Sequence, residues 1–179
     1  GMYFTADYSA SNWEYKANSN IVHALRYANQ VTVPSSWVAE IFQRDMRFTP
    51  HIVPHGIEWE LWQHKEDNLK YVLWNKNRTG DVCTTEWVDA LAARFSEIKF
   101  VSTFGKDYPN MRIIGIQEHG EMKRIVQSAG VYLSTTKETF GIGVLEALAS
   151  GTPVLGFNFG GNVDLVQHKV TGYLAQPGN

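Results

Sequence analysis

Cysteine is nearly absent from this sequence of 179 residues, in which Cys83 is the single example. One thiol can form no disulfide within the chain and supplies no framework of metal ligands. Because disulfides are rare in reducing compartments, the composition favours a cytoplasmic protein in which Cys83 is buried and inert. A nucleophilic role for Cys83 is the alternative, but no nearby His and Asn support it.

The chain also lacks an excess of either charge, since 16 Lys and Arg stand against 18 Asp and Glu. A nucleic-acid partner is therefore not expected, because such proteins carry a basic patch. No uninterrupted apolar run approaches the length that a membrane-spanning helix needs, and no signal peptide is visible. With 44% hydrophobic residues the chain can bury one core, which predicts one domain with a piece of a second.

Apolar runs alternate with amphipathic helical patterns along the whole sequence. This alternation is typical of a parallel sheet with helices on both faces, so the predicted fold class is α/β, with a Rossmann-like doubly wound sheet. Residues 57–70 are expected to form a crossing loop. The predicted strands are 31–33, 51–53, 71–74, 100–102, 112–114, 131–133, 153–156 and 172–174, and the predicted helices 13–30, 36–45, 84–95, 120–128, 142–150 and 161–167.

The segment 131–161, VYLSTTKETFGIGVLEALASGTPVLGFNFGG, is the most informative part of the chain. A strand ends near Ser134, a polar loop follows, and a helix starts around Gly141. The first amides of a helix have no partners inside it, and the positive end of the helix dipole lies behind them. Gly141 and Gly143 carry no side chain that would block a ligand. The pattern predicts a phosphate site at the carboxyl edge of the sheet.

Two carboxylates bracket this turn, Glu138 before the helix and Glu146 within it. Phosphate would repel both, whereas sugar hydroxyls are suitable donors to a carboxylate. We therefore expect Glu146 to hold a ribose and Glu138 to contact a second sugar. A capping or solvated loop acid is the alternative for Glu138. Glu146 lies in a helix that is apolar nearly all round, so a carboxylate there needs a partner.

The stretch from Glu138 to Glu146 resembles the Glu-x7-Glu motif of the family 4 glycosyltransferases, also called glycosyl transferases group 1. The match extends upstream and covers most of residues 31–179. His55 stands where Asn is usual in the family. The other matching stretches are ASGTPV at 149–154, Gly160-Gly161, TGYL at 171–174, VPSSW at 33–37, which resembles the end of an acceptor domain, and PHGIE at 54–58, which resembles an interdomain linker.

The resemblance implies the C-terminal part of a GT-B two-domain glycosyltransferase, cut short at both ends. Residues 1–50 would be a remnant of the acceptor domain with the helix that leads to the linker. Residues 51–68 would be the linker itself. Residues 69–179 would form the nucleotide-sugar-binding Rossmann-like domain without its C-terminal helices. The active site would lie in the cleft between the domains.

The resemblance also implies an activity: transfer of a hexosyl group from a nucleotide-diphosphate sugar to an acceptor, with retention of configuration. Family members typically use neither a metal nor another cofactor. The acceptor is unspecified, either a saccharide or a lipid-linked molecule, and the parent protein could associate peripherally with a membrane. The parent is expected to be a transferase, whereas the chain as given is expected to bind its donor weakly without transfer. A sugar-nucleotide epimerase on the same fold is a third reading.

Residue roles follow from the same resemblance. The amides of Phe140, Gly141 and Ile142 would hold the donor diphosphate, with Glu138 as the catalytic residue at the transferred sugar. Gly115 and Ile116 match the loop that contacts the base.

The basic residues of the site depart from the family pattern, which places an Arg and a Lys five residues apart after the first strand of this domain. Here Lys76 matches the Arg position and Asp81 falls where Lys is expected. Lys76 and Arg78 are the candidates to reach the diphosphate, although an ammonium and a guanidinium bind phosphate with different geometry. The alternative is that both are surface cations.

Overall fold

The structure, a computed structural model, describes residues 13–63, 67–80 and 83–176. The described residues form a parallel sheet of six strands and a separate parallel sheet of two. In chain order the elements are α1 Trp13–Leu25, β1 Thr32–Val33, α2 Ser36–Met46, β2 His51–Ile52, α3 Trp59–Trp62, β3 Tyr71–Trp74, α4 Glu86–Arg94, β4 Lys99–Ser102, β5 Met111–Ile113, α5 His119–Ser128, β6 Val131–Ser134, α6 Ile142–Ala149, β7 Val154–Phe157, α7 Asn162–Leu165 and β8 Gly172–Ala175.

The order of strands in the large sheet is β5-β4-β3-β6-β7-β8, and every pair is parallel. The chain builds outward from β3 through β4 to β5, then returns to the other side of β3 and continues through β6 to β8. This is the 3-2-1-4-5-6 order of a doubly wound Rossmann sheet, so the predicted fold class is confirmed. The order reverses between β3 and β6, where Val72 pairs with Val131.

The core follows from the alternation of side chains along the central strands. Leu73 and Tyr132 lie on the face that α5 and α6 cover, in one apolar cluster with Val126 and Val144. Their neighbours Trp74 and Leu133 lie on the opposite face, in a second cluster with residues of α4. Because both faces of β3 and β6 are buried, these two strands are a rigid support for the loops that follow them.

The small sheet belongs to a separate unit near the start of the described chain. Thr32 pairs with His51, and the third apolar cluster packs Val33 against α2. The hydroxyl of Ser35 caps α2 by accepting from the amide of Val38 at 3.3 Å.

The eight predicted strands are all present, each within about one residue of the expected bounds. Two predictions are wrong in part. The first helix ends at Leu25 rather than near residue 30, because the next three residues form single turns, with the amide of Arg26 bonded to the carbonyl of His23. The predicted loop 57–70 contains α3, a single turn that buries Trp62 in the main core.

The predicted domain boundaries stay predictions. Strand β2, at the start of the predicted linker, pairs with β1 and so shares a sheet with the segment before it. Residues 1–12, 64–66, 81–82 and 177–179, which include Asp81 and the end of the chain, lie outside the described residues. None of the helices in the described part combines the length and the apolar character that crossing a bilayer requires.

Candidate functional site

The site lies at the carboxyl ends of β3 and β6, where the strand order of the large sheet reverses. In open parallel sheets this reversal opens a crevice, since the connections from the two strands leave toward opposite faces. β3 ends at Trp74 and is followed by Lys76, whereas β6 ends at Ser134 and is followed by the loop that carries Glu138. Two residues that are 62 positions apart in the sequence therefore meet at one edge.

Hydrogen bonds fix the first residues after these strands. The indole Nε1 of Trp74 donates to Oγ1 of Thr135 at 3.0 Å, which ties the ends of β3 and β6 together. The amide of Lys76 donates to Oγ1 of Thr103, after β4, at 2.9 Å. The backbone that presents Lys76 is therefore anchored to its neighbours on both sides.

Helix α6 is preceded by its N-cap residue Gly141, which has a left-handed conformation, with φ 98° and ψ 62°. Only glycine adopts this conformation without strain. The carbonyl of Gly141 accepts from the amides of Val144 and Leu145, at 3.0 and 3.1 Å. Within the described part of the chain, no group accepts from the amides of Phe140, Gly141 or Ile142. Three amides are thus available at the positive end of a helix, as the sequence predicts.

The loop before α6 is braced from behind by Gly160 and Gly161. The amide of Gly161 donates to the carbonyl of Glu138 at 2.9 Å. A Cβ atom at Gly161 would lie 1.9 Å from the carbonyl oxygen of Phe140, and one at Gly160 would lie 2.6 Å from that of Glu138. Both glycines are needed for this close packing of two backbones.

Lys76 and Glu138 form an ion pair between Nζ and Oε1. The Lys76 side chain is nearly buried, with 8% exposed, whereas that of Glu138 is 34% exposed. Glu138 is therefore neither a cap nor a solvated loop acid, because it is the partner of a buried cation.

Glu146 is half-buried on α6 and borders the same crevice. Burial raises the pKa of its carboxyl to about 7. Among the residues that the structure describes, no side chain pairs with this carboxylate. The expectation that Glu146 needs a partner is therefore not met by a described protein group. The surrounding helix is less buried than predicted, since Ile142 is 54% exposed.

Tyr132 is a site residue that the sequence did not reveal. It is fully buried on β6, and its hydroxyl lies under the first turn of α6, where a Cβ at Gly143 would approach it to 2.3 Å. Burial, reinforced by the charges of Glu138 and Glu146, raises the pKa of this tyrosine far above its ordinary value. In the sequence, Tyr132 is only one of the apolar positions of a strand. The alternation of side chains with Leu133 does not show where the tyrosine hydroxyl lies.

Two cavities meet at the Lys76–Glu138 pair. The first cavity, of about 310 Å³, lies against the start of α6; its lining includes His55, Lys76, Tyr132, Glu138, Phe140, Gly141, Ile142 and Glu146. The second cavity, of about 420 Å³, lies toward α1 and α2; its lining includes Trp13, Trp37, Lys76, Arg78, Thr136, Lys137 and Glu138. Both volumes are within the range of small-ligand sites. Lys76, Asn77, Glu138 and Thr139 line both cavities.

The structure brings most of the predicted site residues together, but not all. Arg78 is exposed and borders the second cavity, not the first. Gly115 and Ile116 follow β5, which is separated from β3 by β4, and neither lines the first cavity. Gly115 has a positive φ of 67° and Ile116 is 67% exposed, so the loop presents an apolar side chain to solvent.

His55 lies at the mouth of the first cavity, with its ring edge-on to that of Phe140 at 4.9 Å. His51 and His55 have the His-x3-His spacing of a metal site, but they lie on a strand and in a loop instead of on one helix. The described residues contain no cluster of three or more potential metal ligands.

The family model described as "Glycosyl transferases group 1" matches residues 108–179. Two curated relatives illustrate the likeness. Sucrose synthase of Thermosynechococcus vestitus is 31% identical over 108 residues, which are 57% of this chain and 13% of the relative. N-acetyl-alpha-D-glucosaminyl L-malate synthase of Bacillus anthracis is 45% identical over 47 residues, which are 26% of this chain and 12% of the relative.

Solved structures share the fold at low sequence identity. HepE of Anabaena, in a crystal structure with UDP and glucose, has a TM-score of 0.74 and 16% identity over 99% of this chain and 56% of its own. Sucrose-phosphate synthase of Thermosynechococcus elongatus has a TM-score of 0.69 and 18% identity over 98% of this chain and 52% of its own. The chain therefore spans only part of each relative. Its fold is that of part of a GT-B glycosyltransferase, and residues 108–179 are similar to the glycosyl transferases group 1.

Proposed function

We propose that this chain is the donor-binding half of a retaining glycosyltransferase, which transfers a hexosyl group from a nucleotide-diphosphate sugar to an acceptor. The observation that carries the proposal is the first cavity, in which three available amides, a buried lysine and two carboxylates converge. Amides and an ammonium suit a diphosphate, and carboxylates suit the hydroxyls of the two sugars on either side of it.

In this proposal the diphosphate lies against the start of α6, held by the amides of Phe140, Gly141 and Ile142. Lys76 contributes a positive charge from β3, and Arg78 reaches toward the same group from the second cavity. The charge on the diphosphate grows as the bond to the sugar breaks, so fixed amides and a cation stabilise the leaving group more than the bound donor. Such a site can work without a metal or another cofactor, and metal independence is part of the proposal.

The carboxylates would position the two sugars. Glu146, one turn into α6, would accept hydrogen bonds from the ribose hydroxyls, which supply the partner that its half-buried carboxylate lacks among the described residues. Glu138 would face the transferred hexose as the catalytic residue. The base would extend toward Gly115 and Ile116, whose exposed apolar surface suits a planar ring.

The acceptor, a saccharide or a lipid-linked molecule, would approach through the second cavity. That cavity shares Lys76 and Glu138 with the first, so a molecule in it would lie beside the transferred sugar. A cytoplasmic location and a peripheral membrane association of the full protein are further parts of the proposal.

A non-catalytic nucleotide-sugar-binding role for the chain as given is the second candidate. It is favoured by the described residues before β3, which form a two-stranded sheet and three helices and no second doubly wound unit. The two candidates differ in turnover and share the donor site. Release of UDP from UDP-glucose by the isolated chain, in the presence of acceptor sugars, would exclude the non-catalytic reading.

A thermal-shift screen across nucleoside diphosphates and their sugars tests the donor site directly. A ligand that binds only the folded protein raises its melting temperature, by an amount that grows with ligand concentration. UDP and UDP-glucose are the first probes, since HepE is described in complexes with UDP and with UDP-glucose. A screen without any shift would contradict the proposal.

Gly141→Ala and Gly151→Ala form a matched pair for this screen. Both glycines have positive φ angles, 98° and 72°, and they lie at opposite ends of α6. Each substitution strains the backbone by about 1–2 kcal/mol. Only Gly141→Ala is expected to abolish the ligand-induced shift, because only Gly141 belongs to the group of amides that would hold the diphosphate, and its strain would displace them. Equal loss in both variants would indicate general damage to the helix.

A further inference from the structure

The nearly buried ammonium of Lys76 has the Glu138 carboxylate as its partner in the absence of a ligand. Both side chains line the first cavity and the second, so the pair forms part of the wall between them. The function proposed above assigns the two residues to different parts of the donor, Lys76 to the diphosphate and Glu138 to the hexose. Neither assignment is compatible with the pair remaining as it is.

We propose that Lys76 exchanges partners when the donor binds, from Glu138 to the diphosphate, and that Glu138 thereby makes the site selective for the sugar nucleotide over the nucleoside diphosphate. The inference rests on the proposed function and adds the sign of the effect that Glu138 has on binding. Removing the charge of Glu138 should tighten the binding of the nucleoside diphosphate, although Glu138 is itself a residue of the site.

The charges explain why the exchange is feasible. A nearly buried ammonium keeps a partner at all times, because an unpaired charge in this position is costly. The diphosphate is a stronger anion than one carboxylate, and the amides at the start of α6 bring it beside Lys76. The ammonium therefore moves between two anions without returning to water.

The exchange is unfavourable for Glu138, in contrast to Lys76. It loses its cation and remains beside a newly arrived anion, and its 34% exposed side chain has room to turn away. Hydroxyl groups of the hexose then compensate the carboxylate when the ligand is a sugar nucleotide. A nucleoside diphosphate brings no hexose, so Glu138 stays uncompensated. The residue thus favours the donor before transfer and the departure of the nucleoside diphosphate afterwards.

The test is a double-mutant cycle in which calorimetry measures the binding of UDP and UDP-glucose to four proteins: wild type, Glu138→Gln, Lys76→Gln and the double variant. We expect Glu138→Gln to tighten UDP binding by about tenfold and UDP-glucose binding by less than about threefold. Lys76→Gln is expected to weaken both. The effect of Glu138→Gln should depend on Lys76. In the Lys76→Gln background, Glu138→Gln should raise the logarithm of the UDP affinity by less than half of the increase that it gives when Lys76 is present.

Glu121→Gln is the matched control. Glu121 pairs with Arg124 on the surface of α5, so its substitution also removes a carboxylate from an ion pair, but away from both cavities. Its affinities for UDP and UDP-glucose should equal those of the wild type. Far-UV circular dichroism confirms folding. Should Glu138→Gln not fold, the side-chain NMR signal of Lys76 in the wild type replaces it, and this signal should move with UDP and with inorganic pyrophosphate.

The outcomes distinguish a failure of the partner exchange from a failure of the donor site. If the wild type binds UDP and UDP-glucose and Glu138→Gln binds UDP no more tightly, the exchange is wrong and the donor site stands. An equal gain in the presence and absence of Lys76 would also overturn it, because direct repulsion by Glu138 would then explain the effect. If neither the wild type nor any variant binds UDP, UDP-glucose or pyrophosphate, the donor site itself is wrong, and the exchange with it.

Discussion

Glu146 shows how a single residue can be kept ready for a ligand at a cost to the folded protein. Its pKa rises from 4.5 to about 7 because burial disfavours the charged form. The folded protein therefore holds the proton more tightly than the unfolded chain does. At low pH the carboxyl is neutral in both states and does not reduce the stability of the folded protein. The destabilisation by the buried charge increases as the pH rises from about 4.5 to 7 and is complete above that range.

Glu146→Gln is accordingly expected to stabilise the ligand-free protein at high pH alone. At pH 8 the gain should be about 1–3 kcal/mol, reduced from the full shift because the side chain is partly solvated. At pH 4.5 wild type and variant should be equally stable. Urea denaturation at the two pH values measures this difference. A gain that is the same at both would show that the glutamine acts through packing instead of charge.

The same substitution should weaken the donor while it stabilises the protein. If ribose hydroxyls donate to the carboxylate, Glu146→Gln costs about 1–3 kcal/mol of nucleotide binding. Wild-type affinity should also fall as the pH drops below 7, because protonated Glu146 is a poorer acceptor. UDP-glucose is the suitable probe for calorimetry, since its diphosphate has no ionisation in this range. Unchanged affinity in the folded variant would remove Glu146 from the site.

Residue 143 must be glycine because the buried side chain of Tyr132 leaves no space for a Cβ atom there. A Cβ at Gly143 would lie 2.3 Å from the tyrosine hydroxyl oxygen and 3.1 Å from the ring carbon that bears it. Gly143→Ala should therefore destabilise the protein by about 1–3 kcal/mol through overpacking. Tyr132→Phe removes the clashing oxygen, and its own loss is small because the hydroxyl donates only weakly, at 3.4 Å, to the Asn75 carbonyl.

The double variant Gly143→Ala/Tyr132→Phe should consequently recover most of the stability that Gly143→Ala loses, as measured by urea denaturation. A loss equal to the sum of the two single variants would show that the alanine acts on the helix backbone and not on the tyrosine.

At the scale of elements, the strands were predictable because they are short, apolar and bounded by turn residues. The start of α6 was also predictable, since Gly141 follows a polar loop and precedes an apolar helix. The short helix α3 was not, because one turn has no helical period and its sequence mixes Trp with Glu. Helix α1 was predicted too long for the opposite reason, since the amphipathic pattern continues after the hydrogen bonds of the helix end.

The contacts between elements lay beyond prediction from the sequence. Local patterns could identify Lys76 and Glu138 as candidates, but not that they pair, because their meeting depends on the order of β3 and β6 in the sheet. Asn162 is a further example. It is buried and links the end of β6 to the start of α7, where it accepts from the Ser134 hydroxyl at 3.0 Å and donates to the Phe157 carbonyl at 3.1 Å.

Helix α2 is held by an acid from another element. The Asp164 carboxylate of α7 accepts from the amide and from the hydroxyl of Ser36, both at 2.6 Å, and so caps the start of α2. Asp164→Ala should cost about 0.5–2 kcal/mol, the usual value of a helix cap, and should loosen α2 first. Hydrogen exchange of the α2 amides measures the effect. The exposed Asp107→Ala is a control without change, and equal loosening in α5 would contradict a local role.

At the scale of the whole molecule, one reversal of strand order organises the site. It places the loops after β3 and β6 side by side and directs α4 and α6 to opposite faces of the sheet. The small unit of β1, β2 and α2 then packs against the same loops, since the Ser35 hydroxyl donates to the Thr139 carbonyl. Thr139 lines both cavities, so a ligand at the start of α6 acts on a residue that also holds α2.

This connection predicts that donor binding increases the hydrogen-exchange protection of α2. Ordering of the loop 135–141 by a diphosphate should strengthen the contact between Ser35 and Thr139 and slow hydrogen exchange in α2, where Val38 and Phe42 are buried. Saturating UDP-glucose should therefore increase protection in α2 as well as in α6. Ser35→Ala removes the cap of α2 as well as the contact with Thr139, so each protein is compared with and without ligand. In Ser35→Ala the ligand-induced protection of α6 should persist and that of α2 should disappear, because the hydroxyl that joins them is gone. Protection of α2 that survives in this variant would mean that the two units are coupled through Ser36 and Asp164 instead.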